Sequence, residues 1–305
     1  MQVRPRFVVA GEALVDVVVQ ATGDTHHAPG GSPLNVAVGL ARLDVPTTLV
    51  TEVGDDALGR LLVDHVLASD VALHPESVVT GRRTSTATAR LDASGAASYD
   101  FDLRWELGPR PLPEEAGALH VGSLGTSLRP GRDHVVSLVD EAASRGLLVS
   151  FDPNARPTLT PDPVRAWRDV REVAGAATIV KMSDEDLTFL TPGTTPEELV
   201  ASLLVGATRL VVVTFGGEGA LAATREAQVR VASRPSAVVD TVGAGDSFMA
   251  ALLAVVVEHG LDDLTPSRLQ QYVEAAHVAA AVTVSRPGAD PPRLGELPAG
   301  WPGVD

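Results

Sequence analysis

Residues 238–260 have the sequence VVDTVGAGDSFMAALLAVVVEHG, an apolar run followed by a glycine-rich turn and a long apolar segment. This order predicts a strand, a turn and a helix, the unit from which α/β folds are built. Every side chain from Phe248 to Val257 is apolar, so we expect the helix to be buried on most of its faces. One acid, Asp246, stands where the helix begins. An aspartate at that place is commonly a helix cap, and a functional role needs independent support.

The alternation of strand and helix continues along the rest of the chain. Short β-branched runs are separated by amphipathic stretches, and this rhythm predicts βαβ units on a mainly parallel sheet. The predicted strands are RFVVAGEALVDVVV (6–19), TTLVTEVG (47–54), LLVSFDPN (147–154), ATIVKMS (177–183) and RLVVVTFGG (209–217). The predicted helices lie near residues 33–43, 56–68, 131–145, 162–174 and 195–205.

One region departs from this rhythm. Residues 82–105 alternate with a period of two and contain a turn signal at Asp92–Gly95, which predicts an antiparallel hairpin with one polar face. Together with the alternating residues 13–20, the hairpin is expected to form a small sheet that covers a ligand as a lid. An antiparallel edge of the main sheet would produce the same pattern.

Composition excludes several classes of function. The 305 residues are 45% hydrophobic, enough for a large core in one or two α/β domains. A net charge of −15 argues against nucleic acid and anionic membranes as partners, because both select clustered Lys and Arg. The chain has no cysteine, so disulfides and thiolate chemistry are excluded. The N-terminal residues lack the apolar core of a signal peptide, which predicts a cytoplasmic location.

Familiar phosphate-binding motifs do not fit the glycine-rich segments. GDDALGRL (54–61) has the two glycines of a P-loop, but Arg60 and Leu61 replace its Lys and its Ser or Thr. GEGALA (217–222) has the spacing of a dinucleotide fingerprint, yet a hairpin around Arg225–Gln228 is predicted where that fingerprint requires a helix. GAGDSF (243–248) has phenylalanine in place of the third glycine.

The GAGD turn has a physical property of its own. Gly243, Ala244 and Gly245 let the backbone approach a ligand closely, and the helix that follows presents its first N–H groups and the positive end of its dipole. Together they predict an anion site suited to a phosphoryl group. A carboxylate at this position is unfavourable unless it faces the group that attacks the phosphoryl, which is where a general base would stand.

Five segments occur in the order and composition of a known family. They are GGSPLNVAVGLARL (30–43), FDPN (151–154), TFGGEG (214–219), DTVGAGDSFMAALL (240–253) and HVAAAVTVSRPGA (277–289). On these segments the chain resembles the ribokinase-like, PfkB-type family of carbohydrate kinases, and it is most similar to the fructokinase branch. The resemblance implies a single α/β domain over 1–305, a three-layer sandwich with a mainly parallel central sheet. It also implies a β-sheet lid formed by about 13–29 and 77–106, through which a homodimer forms.

The resemblance also assigns roles to individual residues. Asp246 matches the catalytic base that takes the proton of the sugar's primary hydroxyl, and the amides of Gly243, Ala244 and Gly245 match the anion hole. The positions that match sugar-contacting residues are Asp16, Gly30, Gly31 and Asn35. The positions that match ATP-contacting residues are Thr214, Gly216, Gly219 and His277. Three of these residues have a structural explanation as well: Gly30 and Gly31 could form a tight turn before the helix, and His277 could be a core residue.

Two acids match the family's metal-associated positions. The family's Asn-x-x-Glu motif organises Mg²⁺ through water, and its counterpart here begins with Ser183 and ends with Asp186. A shorter carboxylate can still serve a water-mediated magnesium, but SDED (183–186) is equally a good helix start. Asp240, with residues 285–289, resembles a loop that binds potassium in some members.

The predicted function is therefore transfer of the γ-phosphate of Mg·ATP to a small sugar, with fructose favoured. Kinases for 2-keto-3-deoxygluconate, ribose, tagatose phosphate or nucleosides share most of these motifs, so these acceptors stay open. Arg156 is either a contact for a phosphate or an acidic substrate, or an ordinary surface residue. Outside the kinase class, the same residues are compatible with a non-catalytic sugar or nucleotide sensor and with an NAD-dependent oxidoreductase.

Overall fold

The computed structural model describes residues 6–91 and 97–304 and places most of the predicted β-branched runs in one large sheet. Val211, Val212 and Val213 are 0% exposed, as is typical of a strand covered by helices on both faces. The strands of the main sheet are β1 (Arg6–Ala10), β4 (Thr47–Val50), β6 (Ala72–Leu73), β10 (Ala116–Gly122), β11 (Leu148–Asp152), β12 (Ile179–Ser183), β13 (Leu210–Thr214), β14 (Ala220–Ala223) and β15 (Gln228–Val231). The other strands are β2 (Leu14–Val19), β3 (Thr25–Gly30), β5 (Val53–Gly54), β7 (Val78–Val79), β8 (Thr86–Leu91) and β9 (Ala97–Asp102).

The main sheet has nine strands in the order β15-β14-β13-β12-β11-β10-β1-β4-β6. The pairs from β13 to β6 are parallel, and β14 and β15 are added antiparallel at one edge. These last two strands form the hairpin predicted around Arg225–Gln228. The segment 217–222 therefore leads into a strand, and the helix that a dinucleotide fingerprint needs is not formed there.

Helices cover both faces of the main sheet. They are α1 (Ser32–Arg42), α2 (Ala57–Leu67), α3 (Gly131–Ser144), α4 (Pro163–Ala174), α5 (Asp184–Leu190), α6 (Pro196–Leu203), α7 (Ala244–His259) and α8 (Pro266–Val284). Helices α1, α2, α7 and α8 pack on the face that carries Phe7 and Val9, and α3 to α6 pack on the face that carries Val8 and Ala10. The result is a three-layer α/β/α sandwich with one apolar core on each side of the sheet. Among the described residues, no helix is both long enough and apolar enough to cross a membrane.

Two sequence-based expectations about the strands need correction, and one is confirmed. The chain leaves β1 at Gly11 and enters β2 of the small sheet at Leu14, so residues 13–20 join the hairpin in a small sheet as expected, and the run 6–19 is two strands. The apolar residues 238–242 form no strand; they are an exposed loop, in which Val238 is 64% exposed. Strand β10 was not among the predicted runs, although it lies between β1 and β11. Glycines and a histidine interrupt its β-branched signal.

The second sheet has four strands in the order β3-β2-β8-β9. Strands β8 and β9 pair antiparallel, as the alternation in residues 82–105 predicts, and the predicted turn at Asp92–Gly95 lies outside the described residues. Residues 16–19 of β2 and 86–89 of β8 are all half-buried. Since successive side chains point to opposite faces, neither face of this sheet is fully covered within one chain.

The stretch that lacks P-loop chemistry connects the two sheets. Asp56 caps α2 through the N–H of Gly59 (2.8 Å), and its carboxylate also accepts bonds from the hydroxyl (2.7 Å) and the N–H (3.0 Å) of Thr84, just before β8. A Cβ on Gly59 would lie 1.9 Å from the carbonyl oxygen of Gly54. This glycine-rich segment therefore has a structural role, which is to hold the base of the small sheet against α2.

Candidate active site

Asp246 lies in the first turn of α7, but it does not cap the helix. The N-cap position is Gly243, in a left-handed conformation with φ 75°, and it makes no side-chain cap. The Asp246 carboxylate instead accepts a hydrogen bond from the Ser32 hydroxyl at 2.6 Å and one from the Asn35 amide at 2.8 Å. The aspartate therefore belongs to a side-chain cluster shared by two helices.

Helix α1 brings both partners to Asp246 because Ser32 and Asn35 are three residues apart and share one face of the helix. The chain reaches this helix through Gly31, which has φ 106° and a neighbour so close that a Cβ would lie 2.6 Å from the carbonyl oxygen of Glu12. Further along, a Cβ on Gly39 would lie 2.6 Å from that of Ala250, so α1 and α7 approach closely. Gly31 and Gly39 thus let α1 lie close enough to α7 for Ser32 and Asn35 to reach the Asp246 carboxylate.

The pKa of Asp246 is raised above that of an ordinary aspartate. Burial is the main cause, since the residue is only 8% exposed, and the bonds from Ser32 and Asn35 act in the opposite direction. A raised pKa makes the carboxylate a better proton acceptor at neutral pH. Its environment suits a general base better than a surface cap.

The turn before Asp246 is open to a ligand. Gly245 is exposed, and Gly243 and Ala244 are half-buried. The first N–H groups of α7 have no partner within the helix itself, although the Ala244 N–H donates to the Thr241 carbonyl oxygen in the preceding turn at 3.3 Å. A Cβ on Gly243 would lie 2.6 Å from the Cβ of Ala289, so glycine is needed there for space as well as for its φ. The structure therefore brings the predicted anion hole together with residues 285–289.

A buried ion pair, which the sequence reasoning did not identify, lies beside this turn. The Lys181 ammonium on β12 is 2.6 Å from the Asp152 carboxylate at the end of β11, and the two side chains are 4% and 3% exposed. Burial lowers the pKa of Lys181, but the charges of Asp152, Asp186 and Asp246 outweigh it and leave that pKa above its usual value. Lys181 Nζ lies 3.5 Å from the position that a Cβ on Gly245 would occupy.

Composition contains a signal that could have identified this pair. Lysine and arginine together number 24 in the chain, and Lys181 is the only lysine among them. Asp152 is the last residue of β11 and Lys181 is two residues before the end of β12, and the carboxyl ends of such parallel strands form the ligand edge of the sheet. A single lysine in an arginine-rich chain, placed at that edge, is a candidate for a role that arginine cannot fill.

The predicted sugar-contacting residues lie between the small sheet and α1. Asp16 is within β2, and its Oδ2 lies only 2.2 Å from the position of a Cβ on Gly30, so a side chain at that position would displace the carboxylate. Burial raises the pKa of Asp16 to about 6, although the charge of Arg156 lowers it. Arg156 is exposed in the loop after β11 and bonds to Asn154. Its guanidinium thus acts electrostatically on the proposed sugar side.

Glu12 is a second buried acid on this side that the sequence reasoning missed. It accepts a hydrogen bond from the N–H of Gly125 at 2.7 Å and is 6% exposed. Burial raises its pKa to about 7, against the lowering effects of its hydrogen bonds with Ser123 and Gly125 and of the charge of Arg156. Glu12 fixes the loop after β10 against the loop after β1.

Asp186 has the helix-start geometry that its sequence context also allows. Its carboxylate and the Ser183 hydroxyl form a reciprocal capping box at the start of α5. Its other oxygen, Oδ1, accepts a bond from the N–H of Ala155 at 2.6 Å. Burial and the charge of Asp152 raise its pKa. Both carboxylate oxygens of Asp186 are therefore occupied by donors from the chain.

The acids near Lys181 suit magnesium held through water. Asp152 Oδ1 is buried and has no hydrogen-bond partner among the described residues, so it is an unused acceptor beside the anion hole. No group of three or more His, Cys, Asp or Glu within residues 6–91 and 97–304 is arranged to ligate a metal directly. Mg²⁺ keeps much of its hydration shell and binds nucleotide phosphates, so one or two outer carboxylates fit that ion.

Asp240 joins the two loops of the predicted monovalent-cation site. Its carboxylate accepts hydrogen bonds from the N–H of Val242 at 3.0 Å and from that of Gly288 at 2.8 Å. These bonds lower its pKa. The structure thus places the 240–243 and 285–289 segments side by side.

Three of the predicted nucleotide residues lie at the end of β13 and in the segment after it, and the fourth, His277, lies on α8. Thr214 is the last residue of β13, Gly216 has φ 49°, and Gly219 has φ 108° with its Cβ position 2.0 Å from the carbonyl oxygen of Val231. His277 is 6% exposed and packs edge-on against Phe248, with ring centroids 5.1 Å apart. The histidine thus has the packing of a core residue.

A cavity of about 350 Å³ lies away from this cluster, among α4, α5 and the loops at 126–129 and 153–162. Val170 and Leu190 in its wall belong to the core on the opposite side of the main sheet from α7. Since Asp246, Lys181 and Asp16 are absent from its lining, it is not the proposed reaction site.

Comparisons with known proteins agree with this arrangement. The family model described as "pfkB family carbohydrate kinase" matches residues 6–294. The chain is 35% identical to a fructokinase of Klebsiella pneumoniae over 84% of this chain and 85% of that protein. Among solved structures, it is similar to a fructokinase with bound ATP from Xylella fastidiosa (25% identity, TM-score 0.83, 97% and 96% of the two chains covered). It is also similar to a fructokinase from Vibrio cholerae O395 in a fructose, ADP and calcium ion bound form (30% identity, TM-score 0.80, 94% of each chain covered). The geometry and the comparisons lead to one conclusion: the chain belongs to the pfkB family of carbohydrate kinases, which makes it a sugar kinase that transfers phosphate from ATP.

Proposed function

We propose that this kinase transfers the γ-phosphoryl group of Mg·ATP to the primary hydroxyl of fructose, with Asp246 as the general base. The observation that carries the proposal is a buried carboxylate of raised pKa at the open N-terminus of α7. The similarity to fructokinases over most of the chain favours fructose as the acceptor.

The proposed reaction uses Asp246 and the turn before it. The sugar oxygen attacks the γ-phosphorus while its proton passes to the Asp246 carboxylate. The bond between the γ-phosphorus and the bridging oxygen breaks, and ADP leaves with the electron pair. Charge on the phosphoryl oxygens is stabilised by the N–H groups of residues 243–245 and by the helix dipole.

The acceptor is held on the other side of Asp246. Asp16 accepts hydrogen bonds from sugar hydroxyls, and Gly30 and Gly31 let the ring approach the backbone. Asn35 donates to Asp246 through its amide nitrogen, which leaves its amide oxygen for a hydroxyl. Asn35 thereby aligns the base and the sugar with one side chain.

Nucleotide and cations occupy the side formed by β13, α5 and α7. Thr214, Gly216 and Gly219 form the loop under the ATP phosphates, and His277 lies beside the adenosine. When bound, magnesium would neutralise phosphate charge. Asp152 Oδ1, which has no partner among the described residues, would accept a hydrogen bond from one of its water ligands, and Asp186 Oδ1 would accept a second beside its bond from the N–H of Ala155. Asp240 and the carbonyl groups of 285–289 would hold potassium.

The small sheet acts as the lid, and a second copy of the chain covers its outer face to form a homodimer. The half-buried side chains on both faces of β2 and β8 support this arrangement, since one face serves the sugar and the other remains available. Closure of the lid excludes water, so that phosphate passes to the sugar and not to solvent. We also propose that the enzyme acts in the cytoplasm, which is consistent with its proposed use of ATP.

A second acceptor, 2-keto-3-deoxygluconate, is favoured by one observation. The charge of exposed Arg156 acts on both Asp16 and Glu12, so a cation faces the sugar side of the site. A carboxylate on the acceptor would be attracted to it.

The test is ADP release from Mg·ATP with fructose, 2-keto-3-deoxygluconate, ribose, tagatose 6-phosphate or adenosine, with and without potassium. Fructose should give the highest kcat/KM, and Asp246→Asn should lower kcat by several orders of magnitude while ATP affinity is retained. Asp133→Asn, which changes a first-turn acid of α3, is the matched control and should keep full activity. Near-full activity in Asp246→Asn would refute the assignment of the base, and a preference for 2-keto-3-deoxygluconate would refute fructose.

A further inference from the structure

The only lysine of the chain lies at the place where the phosphoryl group is expected. Lys181 Nζ is 3.5 Å from the Cβ position of Gly245, in the turn whose N–H groups form the proposed anion hole. The side chain is 4% exposed, so it reaches this place from within the fold. The reaction proposed for Asp246 assigns it no role.

One hydrogen bond holds the ammonium, and the rest of its donors are unused. Lys181 donates to Asp152 Oδ2 at 2.6 Å, its sole side-chain hydrogen bond among the described residues. An ammonium has three N–H donors, so two remain for a ligand. Because the pair is buried, a bond from this cation to an anion is worth more than it would be in water.

The carboxylates around Lys181 would repel the phosphates of ATP unless a cation such as magnesium binds together with them. Asp152, Asp186 and Asp246 all lie close enough to raise the pKa of Lys181, so one ammonium faces three carboxylates. Magnesium bound to the nucleotide adds positive charge at the same time as the phosphates add negative charge. Lysine therefore stays protonated through the reaction, and the proton of the sugar goes to Asp246.

The kind of cation also matters. An ammonium is a compact point charge, whereas a guanidinium is a larger planar fork. The space between the Asp152 carboxylate and the backbone at Gly245 accommodates the former. The small size of the ammonium is a physical reason for a lysine at position 181 in a chain whose other Lys or Arg side chains are all arginines.

We propose that Lys181 is a catalytic residue whose ammonium binds the γ-phosphoryl group of ATP beside residues 243–245, and that Asp152 is the positioning residue that holds it there. The inference rests on the proposed function, because it assumes phosphoryl transfer at Asp246. The new bond between sugar oxygen and phosphorus forms as the bond to ADP breaks, and Lys181 stabilises the charge on the transferring oxygens without exchanging a proton.

Kinetics of Lys181→Met and Lys181→Arg test the role directly. We expect kcat to fall about 10²–10³-fold in both variants, as for loss of one donor to a transition-state oxygen, with a smaller change in KM for the sugar. Arg132→Met, which removes another buried cation, from α3, is the matched control and should keep its kcat per folded molecule. Wild-type-like kcat in folded Lys181→Met would overturn the proposal.

Two further readouts distinguish contact with phosphate from a structural role. In Lys181→Ala, methylamine should restore part of kcat, because a small ammonium can occupy the vacated space; no rescue in a folded variant would count against direct contact. Asp152→Asn should lower kcat less than Lys181→Met does, because the ammonium remains but is poorly held. An equal or larger loss in Asp152→Asn would overturn the division of roles.

The wild-type protein provides a test that depends on neither folding of variants nor sugar turnover. An amine-reactive reagent can modify only Lys181 and the N-terminal amine, and mass spectrometry separates the two. The non-hydrolysable ATP analogue AMP-PNP with Mg²⁺ should slow labelling of Lys181 more than Mg·ADP does, since only the former carries the γ-phosphoryl group. Equal protection would contradict the proposal. Wild-type protein that phosphorylates no sugar but shows this difference would refute the proposed acceptor and leave Lys181 in its place.

Discussion

At the scale of single residues, the site is defined by acids whose proton affinity is raised by burial. Asp16, Glu12 and Asp246 all have a pKa above the ordinary value, with burial as the largest cause in each. Arg156 opposes the shift at Asp16 and at Glu12. The pH dependence of the enzyme should therefore report on these side chains separately.

Sugar binding should weaken as the pH falls through about 6, the pKa of Asp16. A protonated carboxyl accepts hydroxyl hydrogen bonds less well, so kcat/KM for the sugar should decrease on the acid side. Arg156→Gln removes a charge that lowers this pKa, and the acid limb should move to higher pH. The measurement is kcat/KM between about pH 5 and 8, with Asp16→Asn as the control that removes this limb. A shift to lower pH in Arg156→Gln would contradict the assignment.

Glu12 should make the stability of the fold depend on pH. Its pKa is about 7 in the folded chain against 4.5 for a free glutamate, so the folded state holds the proton more tightly. The stabilisation is fully present below about 4.5 and is lost as the pH rises through 7. Glu12→Gln cannot ionise and should raise the free energy of unfolding at about pH 8 by about 3 kcal/mol, with little change at about pH 4.5. Urea unfolding at the two pH values measures this, and an equal effect at both would refute it.

At the scale of elements, the site depends on how closely helices and loops approach. Helix α7 is buried along most of its length, and α1 packs against it near Gly39. The turn at Gly243 packs against Ala289 in the loop after α8. Small residues at these contacts let the backbone of α7 present its N-terminus and Asp246 together.

Gly243→Ala should therefore lower both stability and kcat. Alanine at φ 75° is strained, and its Cβ would lie 2.6 Å from that of Ala289, so the turn and the 285–289 loop must separate. We expect a loss of about 2–4 kcal/mol in the free energy of unfolding, from strain and overpacking together. Gly146→Ala, just after α3, is the matched control, with φ 68° and no neighbour within 4 Å of its Cβ position. It should lose only the strain energy and keep kcat; equal losses in the two variants would exclude the packing effect.

At the scale of the whole molecule, the main sheet positions the proposed phosphate-binding residues and also anchors the small sheet that is the proposed lid. The parallel strands bring Asp152 and Lys181 to the carboxyl edge, while the chain between β1 and α1 departs to build the small sheet. The Asp56 and Thr84 bonds fix the base of that sheet. Residues 16–19 of β2 and 86–89 of β8 are only half-buried, which is suited to movement of the small sheet over a ligand and to contact with a second copy.

The proposed dimer should be visible in solution. Sedimentation equilibrium at micromolar concentration is expected to give twice the mass of one chain, because the small sheet has two incompletely covered faces. Dilution into the monomer range should lower kcat/KM for the sugar if the partner stabilises the closed lid. A strict monomer with undiminished activity would refute the dimer and leave the single-chain mechanism intact.

Much of the architecture was predictable because its signals are local. The β-branched runs and amphipathic stretches placed five helices close to their observed bounds and identified the α/β sandwich and the antiparallel hairpin. Prediction was less reliable where local chemistry is ambiguous. Residues 238–242 are apolar but unpaired, and β10 has glycines and a histidine in place of a continuous β-branched run.

The sequence by itself determined the helix-opening GAGD turn, the acid within it, the single lysine and the family resemblance, since each depends on residue identity and short spacing. Only the tertiary structure decided that Asp246 is bonded to Ser32 and Asn35, more than 200 residues away, and that Lys181 is paired with Asp152. Such contacts depend on strand order and helix packing, which local periodicity does not encode. Burial then raises the pKa of Asp246, and burial is a property of the folded chain alone.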